Sequence, residues 1–185
     1  HGKESQALQR DFRAVAESCA NVGISMIVVP LVDNGRLESG AQEDALVEFV
    51  NGQARLLAEH RLRVVFESDF APAELSRFIG RLDSALFGIN YDIGNSAALG
   101  YKPAEEMAAY GERILNVHVK DRLLGGTTVP LGSGNADFEA VFARLEQIGY
   151  SGNYILQTAR APDDDHAGAL CRYRDLTIDW LTHAA

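Results

Sequence analysis

The sequence has little of what marks a secreted, membrane-bound or nucleic-acid-binding protein. It contains only 2 cysteines, Cys19 and Cys171, which show neither a disulfide framework nor a metal-ligand spacing. No apolar run reaches the length of a membrane span, and no signal peptide is visible. Lysine and arginine number 17 against 26 acidic residues, whereas a nucleic-acid partner requires a basic surface. We therefore expect a cytoplasmic protein that binds neither membrane nor nucleic acid.

Two nucleotide-binding signatures are also missing. No GxGxxG sequence follows a strand-like run, and there is no P-loop. Gly132-Ser133-Gly134 precedes a helix-like segment, but a short glycine loop alone is a weak phosphate signal. What remains is an ordinary globular composition, 46% hydrophobic and 23% charged, which predicts one domain over residues 1–185. The chain begins with His1-Gly2 rather than with Met.

Strand-like and helix-like segments alternate along this domain. Near-continuous apolar runs predict strands that are buried on both faces of a parallel sheet, and apolar residues spaced three and four apart predict helices between them. The predicted strands cover about residues 24–32, 62–67, 85–92, 114–119 and 153–158. The predicted helices cover about residues 4–22, 41–60, 72–82, 103–112 and 137–148, with a closing helix from about 164. The alternation predicts right-handed crossovers in an α/β fold, either an open doubly wound sheet or a (β/α) barrel.

Polar residues at the strand ends favour the barrel. Asn116-Val117-His118-Val119-Lys120-Asp121 ends the fourth strand and places three polar side chains on one face. Glu67 and Asp92 end the second and third strands, and Gln157 lies near the end of the fifth. In a barrel all strands converge on one C-terminal mouth, so the side chains of Glu67, Asp92, His118 and Gln157 can meet there. We therefore predict a parallel (β/α) barrel of the TIM type.

Each of these residues also has a purely structural interpretation. Glu67 could lie at the mouth of a loop, Asp92 could cap the following turn, and His118 could be a hydrogen-bonded core histidine. Their shared strand parity and their order along the chain favour a common site over three independent coincidences.

Three further residues are candidates for substrate binding. Lys120 shares the face of His118 and could meet a substrate anion. Arg160, just past the last strand, is a second anion candidate or an ordinary exposed arginine. Asn95 could bind a substrate hydroxyl or close a turn. The acidic run Asp163-Asp164-Asp165 we interpret as a loop before a helix N-terminus, where carboxylates suit the helix dipole.

The ordered set of motifs resembles the xylose isomerase-like barrels, and within them the sugar-phosphate isomerases and epimerases. The motifs are a glutamate at a strand end, Tyr-Asp-Ile-Gly-Asn, His-Val-Lys-Asp and a polar residue on the last strand. Val129–Phe138 and the Gly149–Gly152 turn belong to the same pattern, so the resemblance spans about residues 24–160. The family barrel has eight strands. The five predicted here resemble strands four to eight, and about three βα units of the pattern would precede His1.

The resemblance implies a metal-dependent enzyme with Glu67, Asp92, His118 and Gln157 as ligands. Two carboxylates, an imidazole and an amide oxygen suit Mn²⁺, Mg²⁺, Co²⁺ or Zn²⁺. A chelated sugar would lose its α-proton to Glu67, and the ion would stabilise the resulting enediolate. In related epimerases a glutamate on the last strand serves on the opposite face, whereas Gln157 cannot carry a proton. This departure puts a two-base epimerisation in doubt.

Three functions remain open. The first is an isomerase or epimerase that acts on a sugar or sugar phosphate. The second is a lyase or dehydratase, which needs only one base and a metal, and the third is a metal-binding barrel that has lost catalysis. A related DNA-repair endonuclease uses the same scaffold, but it needs more histidines than the 5 present and suits a chain of net charge −9 badly. We expect a small-molecule partner, and the apolar first strand would also permit a homo-oligomer.

Overall fold

A parallel five-stranded sheet organises the protein, and our computed structural model describes residues 3–184. The strands are β1 (Met26–Leu31), β2 (Arg63–Ser68), β3 (Phe87–Asp92), β4 (Ile114–Val119), β5 (Asp121–Arg122), β6 (Thr128–Val129) and β7 (Asn153–Leu156). The main sheet has the order β1-β2-β3-β4-β7, and all of its neighbouring strands are parallel. The five predicted strands and their parallel arrangement are therefore confirmed.

Helices connect the strands of the main sheet. They are α1 (Lys3–Asn21), α2 (Gly40–Asn51), α3 (Ala54–His60), α4 (Pro72–Ile79), α5 (Ile93–Leu99), α6 (Pro103–Tyr110), α7 (Phe138–Gln147) and α8 (His166–Ala184). Among these helices, none is both long enough and apolar enough to cross a lipid bilayer.

One face of the sheet packs against the helices, and the other carries the polar strand-end residues. Val64 and Phe66 of β2 are fully buried in the hydrophobic core, as are Val117 and Val119 of β4. Because side chains alternate along a strand, the residues between them point to the opposite face. Glu67 of β2 and His118 of β4 therefore lie on the face away from the helical layer.

The predicted helix over 41–60 is wrong as one element, because the chain divides it into α2 and α3. Gly52 ends α2, and glycine stabilises a helix interior less than other residues do. Gln53 stands between the two helices and is buried. Its side chain accepts a hydrogen bond from Arg13 Nε at 2.9 Å and donates one to the Phe49 carbonyl at 3.3 Å. The interruption is thus fixed by contacts with α1 and α2.

Two regions contain short elements that the sequence did not predict. Asn95, for which a turn was one interpretation, lies in α5, which begins directly after β3 and ends at Gly100 in the left-handed conformation (φ +76°). The glycine-rich segment after β4 contains β6, which pairs antiparallel with β5. Both elements pack beside the C-terminal ends of β3 and β4, so they shape the region where the site lies.

Candidate metal centre

Three neighbouring strands bring Glu67, Asp92 and His118 together. Each residue lies at or near the C-terminal end of its strand, and Asp92 pairs directly with His118 across β3 and β4. Their potential ligand atoms all lie within 4.8 Å of one another. His118 Nδ1 is 3.2 Å from Glu67 Oε2 and 3.8 Å from Asp92 Oδ2. The sequence-predicted cluster therefore forms for these three residues.

The three side chains are largely withdrawn from solvent. Only 10% of the Glu67 side chain, 1% of the Asp92 side chain and 12% of the His118 side chain is exposed. Burying two carboxylates is costly unless they are hydrogen-bonded and compensated by positive charge. This cost is what distinguishes the cluster from an acidic surface patch.

A chain of amide side chains fixes the orientation of Glu67. Asn116 Nδ2 donates to Asn90 Oδ1 at 2.6 Å, and Asn90 Nδ2 donates to Glu67 Oε2 at 2.9 Å. On the other side, Asn95 Nδ2 donates to Glu67 Oε1 at 2.9 Å. Both oxygens of the carboxylate therefore have an amide donor, and Asn90 Nδ2 also lies 3.1 Å from His118 Nδ1. The inner polar face of β3 and β4 is a hydrogen-bonded support for the site.

Asp92 has two roles, one for each oxygen. Its Oδ1 accepts a hydrogen bond from the Asn95 backbone N–H at 2.8 Å and so caps α5. Its Oδ2 faces His118 and Lys120. The structural interpretation of Asp92 as a cap and the functional one as a ligand therefore both fit, because they use different atoms.

Two cations border the cluster. Lys120 Nζ lies 3.1 Å from Asp92 Oδ2 and 3.3 Å from Asn95 Oδ1. Arg122 Nη1 donates to the same Asn95 Oδ1 at 2.9 Å, while its Nε and Nη2 hold the Gly126 carbonyl. Among the described residues Arg122 forms no ion pair with a carboxylate. Arg122 was not predicted as a site residue, although it follows Lys120 by two positions and so lies on the same side of the extended chain.

A cavity of about 540 Å³ opens in front of these side chains. Its lining includes Glu67, Asn95, Lys120 and Arg122, together with Asp69 from the segment after β2. One oxygen of Asp69 pairs with Arg36 at 2.8 Å, and its other oxygen, Oδ1, is buried without a hydrogen-bond partner. The cavity therefore offers both negative and positive polar groups to a small molecule.

The residue after Lys120 stabilises the neighbouring loop. Asp121 is fully buried and accepts backbone N–H groups from Gly132 at 2.9 Å, Gly134 at 2.8 Å and Ala136 at 3.1 Å. A Cβ atom at Gly134 would overlap Asp121 Oδ1, so the close approach depends on glycine. These contacts show that Asp121 caps the glycine-rich loop.

His118 is held in its charged form by its carboxylate neighbours. Burial lowers the pKa of His118, whereas hydrogen bonds to Asp92 and Glu67 and the charges of those carboxylates raise it, and the pKa comes to about 9. The protonated imidazole therefore provides a positive charge at the position where a metal would also face Glu67 and Asp92.

Gln157 and Arg160 lie farther along the chain, just beyond β7. The backbone N–H of Gln157 donates to the Val119 carbonyl at 3.1 Å, so Gln157 sits beside the end of β4, and its side chain is exposed. Arg160 is also exposed. The roles of Gln157 as a fourth ligand and of Arg160 as an anion contact stay predictions.

A parallel α/β sheet with its site at the carboxyl ends of the strands is the arrangement of the (β/α)-barrel proteins, and open doubly wound sheets share it. The chain belongs to the xylose isomerase-like TIM barrel family, whose model matches residues 2–175. The resemblance inferred from the motifs is therefore confirmed, and the sheet is part of a barrel.

Curated relatives include a dehydratase and an epimerase. The chain is 27% identical over 164 residues to inosose dehydratase of Geobacillus kaustophilus, a match that covers 76% of this chain and 53% of the relative. It is 36% identical over 95 residues to L-ribulose-5-phosphate 3-epimerase UlaE of Salmonella paratyphi C, which covers 51% of this chain and 34% of that enzyme. The chain thus spans about half of the first relative and about a third of the second.

Solved structures with the same fold include proteins crystallised with metal ions. A xylose isomerase domain protein from Planctomyces limnophilus matches 96% of this chain and 67% of its own at a TM-score of 0.79 and 21% identity. The IOLI protein with a bound zinc atom has a TM-score of 0.78 and 16% identity, and the match covers 100% of this chain and 73% of that one. A Mycobacterium smegmatis xylose isomerase-like barrel in complex with magnesium has a TM-score of 0.74 and 16% identity, and the match covers 100% of this chain and 70% of that one. The named relatives and neighbours include sugar epimerases and a dehydratase, which are enzymes.

Proposed function

We propose that the protein is a metal-dependent isomerase or epimerase that acts on a sugar or sugar phosphate. The observation that carries this proposal is the buried cluster of Glu67, Asp92 and His118, whose ligand atoms lie within 4.8 Å of one another. Membership of the family and the names of the relatives support the substrate class.

The donor set fits a divalent cation. Two carboxylates and one imidazole nitrogen match the ligand preferences of Mn²⁺, Mg²⁺, Co²⁺ or Zn²⁺, and zinc and magnesium occur in two of the solved neighbours. Glu67, Asp92 and His118 would hold the ion, and Gln157 would add an amide oxygen. A bound ion would supply positive charge that stabilises the negative charge left on a substrate when its α-proton is removed.

Glu67 is the proposed base. Its carboxylate lines the cavity, and amide donors from Asn90 and Asn95 hold its plane in one orientation. A base must be fixed within hydrogen-bond reach of the proton that it abstracts, and this support provides that constraint. Asn90 and Asn95 therefore act by orienting Glu67.

Polar groups on the cavity wall are the proposed substrate contacts. Lys120 and Arg122 line the cavity beside the cluster and can donate hydrogen bonds to the oxyanion or hydroxyl oxygens of a substrate. Asn95 could contact a substrate through the second hydrogen of its amide nitrogen, since the first is donated to Glu67 and its oxygen already accepts from Lys120 and Arg122. Arg160, exposed beyond β7, remains a proposed contact that could approach only from the rim.

A dehydratase is the second candidate. Gln157 cannot exchange a proton, so the Glu67–residue 157 pair has only one titratable member, and a lyase requires only one base at the metal. Of the two curated relatives described above, inosose dehydratase matches this chain over more residues. If an epimerase is correct, the proton on the far face must pass through another group, and Lys120 is the nearest candidate.

The experiment that tests the proposal follows metal and protons separately. Metal binding by the purified protein is measured by calorimetry with Mn²⁺, Mg²⁺, Co²⁺ and Zn²⁺. A panel of ketoses and ketose phosphates in D₂O is then followed by NMR for exchange at the α-carbon and for loss of water. We expect stoichiometric metal and exchange into at least one member of the panel, with a product that has lost one water molecule only if the dehydratase is correct.

Three variants sharpen the test. Glu67→Gln should abolish exchange, whereas Glu105→Gln, an exposed glutamate on α6, should leave exchange unchanged. Gln157→Glu should tighten metal binding for either chemistry, because it adds a negative charge near the ion. Exchange that survives Glu67→Gln would show that Glu67 is not the base, and a wild-type protein that binds none of the four ions would overturn the proposal.

A further inference from the structure

A second buried carboxylate lies behind the site, on the helical side of the sheet. Glu106 of α6 is 1% exposed and accepts three hydroxyl hydrogen bonds. Tyr91 Oη donates to Oε2 at 2.8 Å, Ser96 Oγ to Oε1 at 2.6 Å and Tyr110 Oη to Oε1 at 2.7 Å. All three donors are neutral, and within residues 3–184 Glu106 has no ion pair with a lysine, arginine or histidine.

Burying the Glu106 carboxylate costs free energy that a purely stabilising side chain would not require. A buried carboxylate without a counter-charge loses its hydration, and burial raises the pKa of Glu106 above its ordinary value. An apolar side chain of similar volume would fill the same space without this cost. What the carboxylate offers, and an apolar group does not, is the ability to fix several donors in one geometry.

Two of the three donors flank the segment that carries the candidate site. Tyr91 immediately precedes Asp92 at the end of β3, and Ser96 immediately follows Asn95 in α5. Glu106 therefore holds both ends of the segment between them. Inside that segment, Asp92 faces His118 and Lys120, and Asn95 donates to Glu67. The third donor, Tyr110, belongs to α6 itself, and its ring lies 6.4 Å from the ring of Tyr91, a contact that phenylalanine would keep.

We propose that Glu106 is a positioning residue, which sets the placement of Asp92 and Asn95 by binding the hydroxyls of Tyr91 and Ser96. The inference rests on the proposed metal site, because it concerns the affinity of that site for its ion. Glu106 lies on the opposite face of the sheet from the cavity and makes no contact with a reacting atom. Its effect is transmitted through the backbone of the β3–α5 junction.

The three hydroxyls provide a matched set of variants. Tyr91→Phe and Ser96→Ala each remove one bond between Glu106 and the site segment, whereas Tyr110→Phe removes one bond to the same carboxylate from within α6. We measure Co²⁺ affinity by calorimetry, the visible absorption of bound Co²⁺, and urea unfolding without added metal. Tyr91→Phe and Ser96→Ala should weaken Co²⁺ binding by about tenfold, the lower end of what loss of an outer hydrogen-bond partner costs a metal site. They should also shift the Co²⁺ spectrum.

Tyr110→Phe should destabilise the protein against urea about as much as Tyr91→Phe and Ser96→Ala do, because each variant removes one hydrogen bond to Glu106. It should change Co²⁺ affinity by less than about twofold, since no bond to the site segment is lost. Glu106→Gln, if it folds, should resemble Tyr91→Phe in both affinity and spectrum. Equal Co²⁺ affinities in all variants would overturn the positioning role while leaving the metal site intact. So would a loss of affinity in Tyr110→Phe as large as in the other two. Failure of the wild-type protein to bind Co²⁺ would overturn both the metal site and this inference.

Discussion

A cation bound in the cluster would have to share Asp92 with the ammonium group of Lys120. Its ammonium group lies 3.1 Å from Asp92 Oδ2, the same oxygen that faces His118. Two positive charges 4 Å apart repel by about 1 to 4 kcal/mol, depending on how well water screens them. The charge of Lys120 should therefore weaken metal binding, and the size of this effect can be measured.

Lys120→Met keeps the aliphatic stem and removes this charge. We expect divalent metal to bind about tenfold tighter, since a tenfold change corresponds to roughly 1.4 kcal/mol, near the lower end of the repulsion above. Competition with a chelating dye measures the change. Lys102→Met, an exposed lysine at the start of α6, is the control and should leave the affinity unaltered. An unchanged affinity in Lys120→Met would mean that Lys120 leaves the carboxylate at no cost.

His118 makes metal binding depend on pH. Burial lowers the pKa of His118, but Asp92 and Glu67 raise it more, to about 9, and a metal requires the neutral imidazole. Metal affinity should therefore increase about tenfold per pH unit between roughly pH 7 and 8 and level off above about pH 9. Calorimetry in buffers of different ionisation enthalpy should detect about one proton released per ion at neutral pH.

The same group affects stability with the opposite trend. The pKa of His118 is higher in the folded chain than its ordinary value of 6.5, so its contribution to stability is complete below about pH 6.5 and is lost as the pH rises through about 9. Urea unfolding of chelator-treated protein between these values checks the sign. If stability is flat while metal affinity still rises, the proton that competes with the metal does not come from His118.

At the scale of elements, the start of α5 depends on close packing against the end of β4. A Cβ atom added at Gly94 would lie 2.7 Å from Lys120 Cγ and 3.0 Å from the Lys120 carbonyl carbon. Glycine at this position lets the helix approach the strand, and the approach brings Asn95 within reach of both Glu67 and Lys120.

Gly94→Ala should therefore destabilise the protein by about 1–3 kcal/mol, the usual cost of overpacking, and should weaken metal binding as well. Gly40→Ala is the matched control, because Gly40 also lies in the first turn of a helix and nothing stands within 4 Å of its added Cβ atom. That variant should be neutral or slightly stabilised, as alanine favours helix over glycine. Urea midpoints and calorimetry compare the two, and equal midpoints would contradict the packing argument.

The strands were predictable and the small elements were not, for a physical reason. The β-strand repeat of two residues placed Glu67, Asp92 and His118 on one face from sequence alone, because that repeat is a local property of the backbone. The α5 helix is short and contains Gly94, so it depends on its Asp92 cap and on β4, which the local sequence does not reveal. Arg122 was not predicted for the same reason, since its partner Asn95 comes from α5.

At the scale of the whole molecule, the order of the strands and the family follow from the sequence, whereas the hydrogen-bonded support of the site does not. Asn90 and Asn116 could be assigned to the inner face by parity, but their amide chain to Glu67 depends on strand register. The sheet ends at β1 and β7 within the described residues, and apolar Val28 of β1 and Ile155 of β7 are 37% and 44% exposed. Their exposure follows from tertiary arrangement rather than from hydropathy.

The buried carboxylate of Asp121 divides the glycine-rich segment into two parts that should exchange their amide hydrogens at different rates. Charged acceptors hold backbone N–H groups more firmly than neutral ones, and Asp121 accepts three of them, from Gly132, Gly134 and Ala136. In the β5–β6 hairpin before them the backbone N–H groups of Leu123 and Gly126 donate to neutral carbonyl oxygens, and the charged Arg122 side chain holds a carbonyl rather than an N–H group. Leu123 and Leu124 are exposed at its turn. The hairpin can therefore open to solvent many times while the strand-to-α7 connection stays closed, although glycines occur in both.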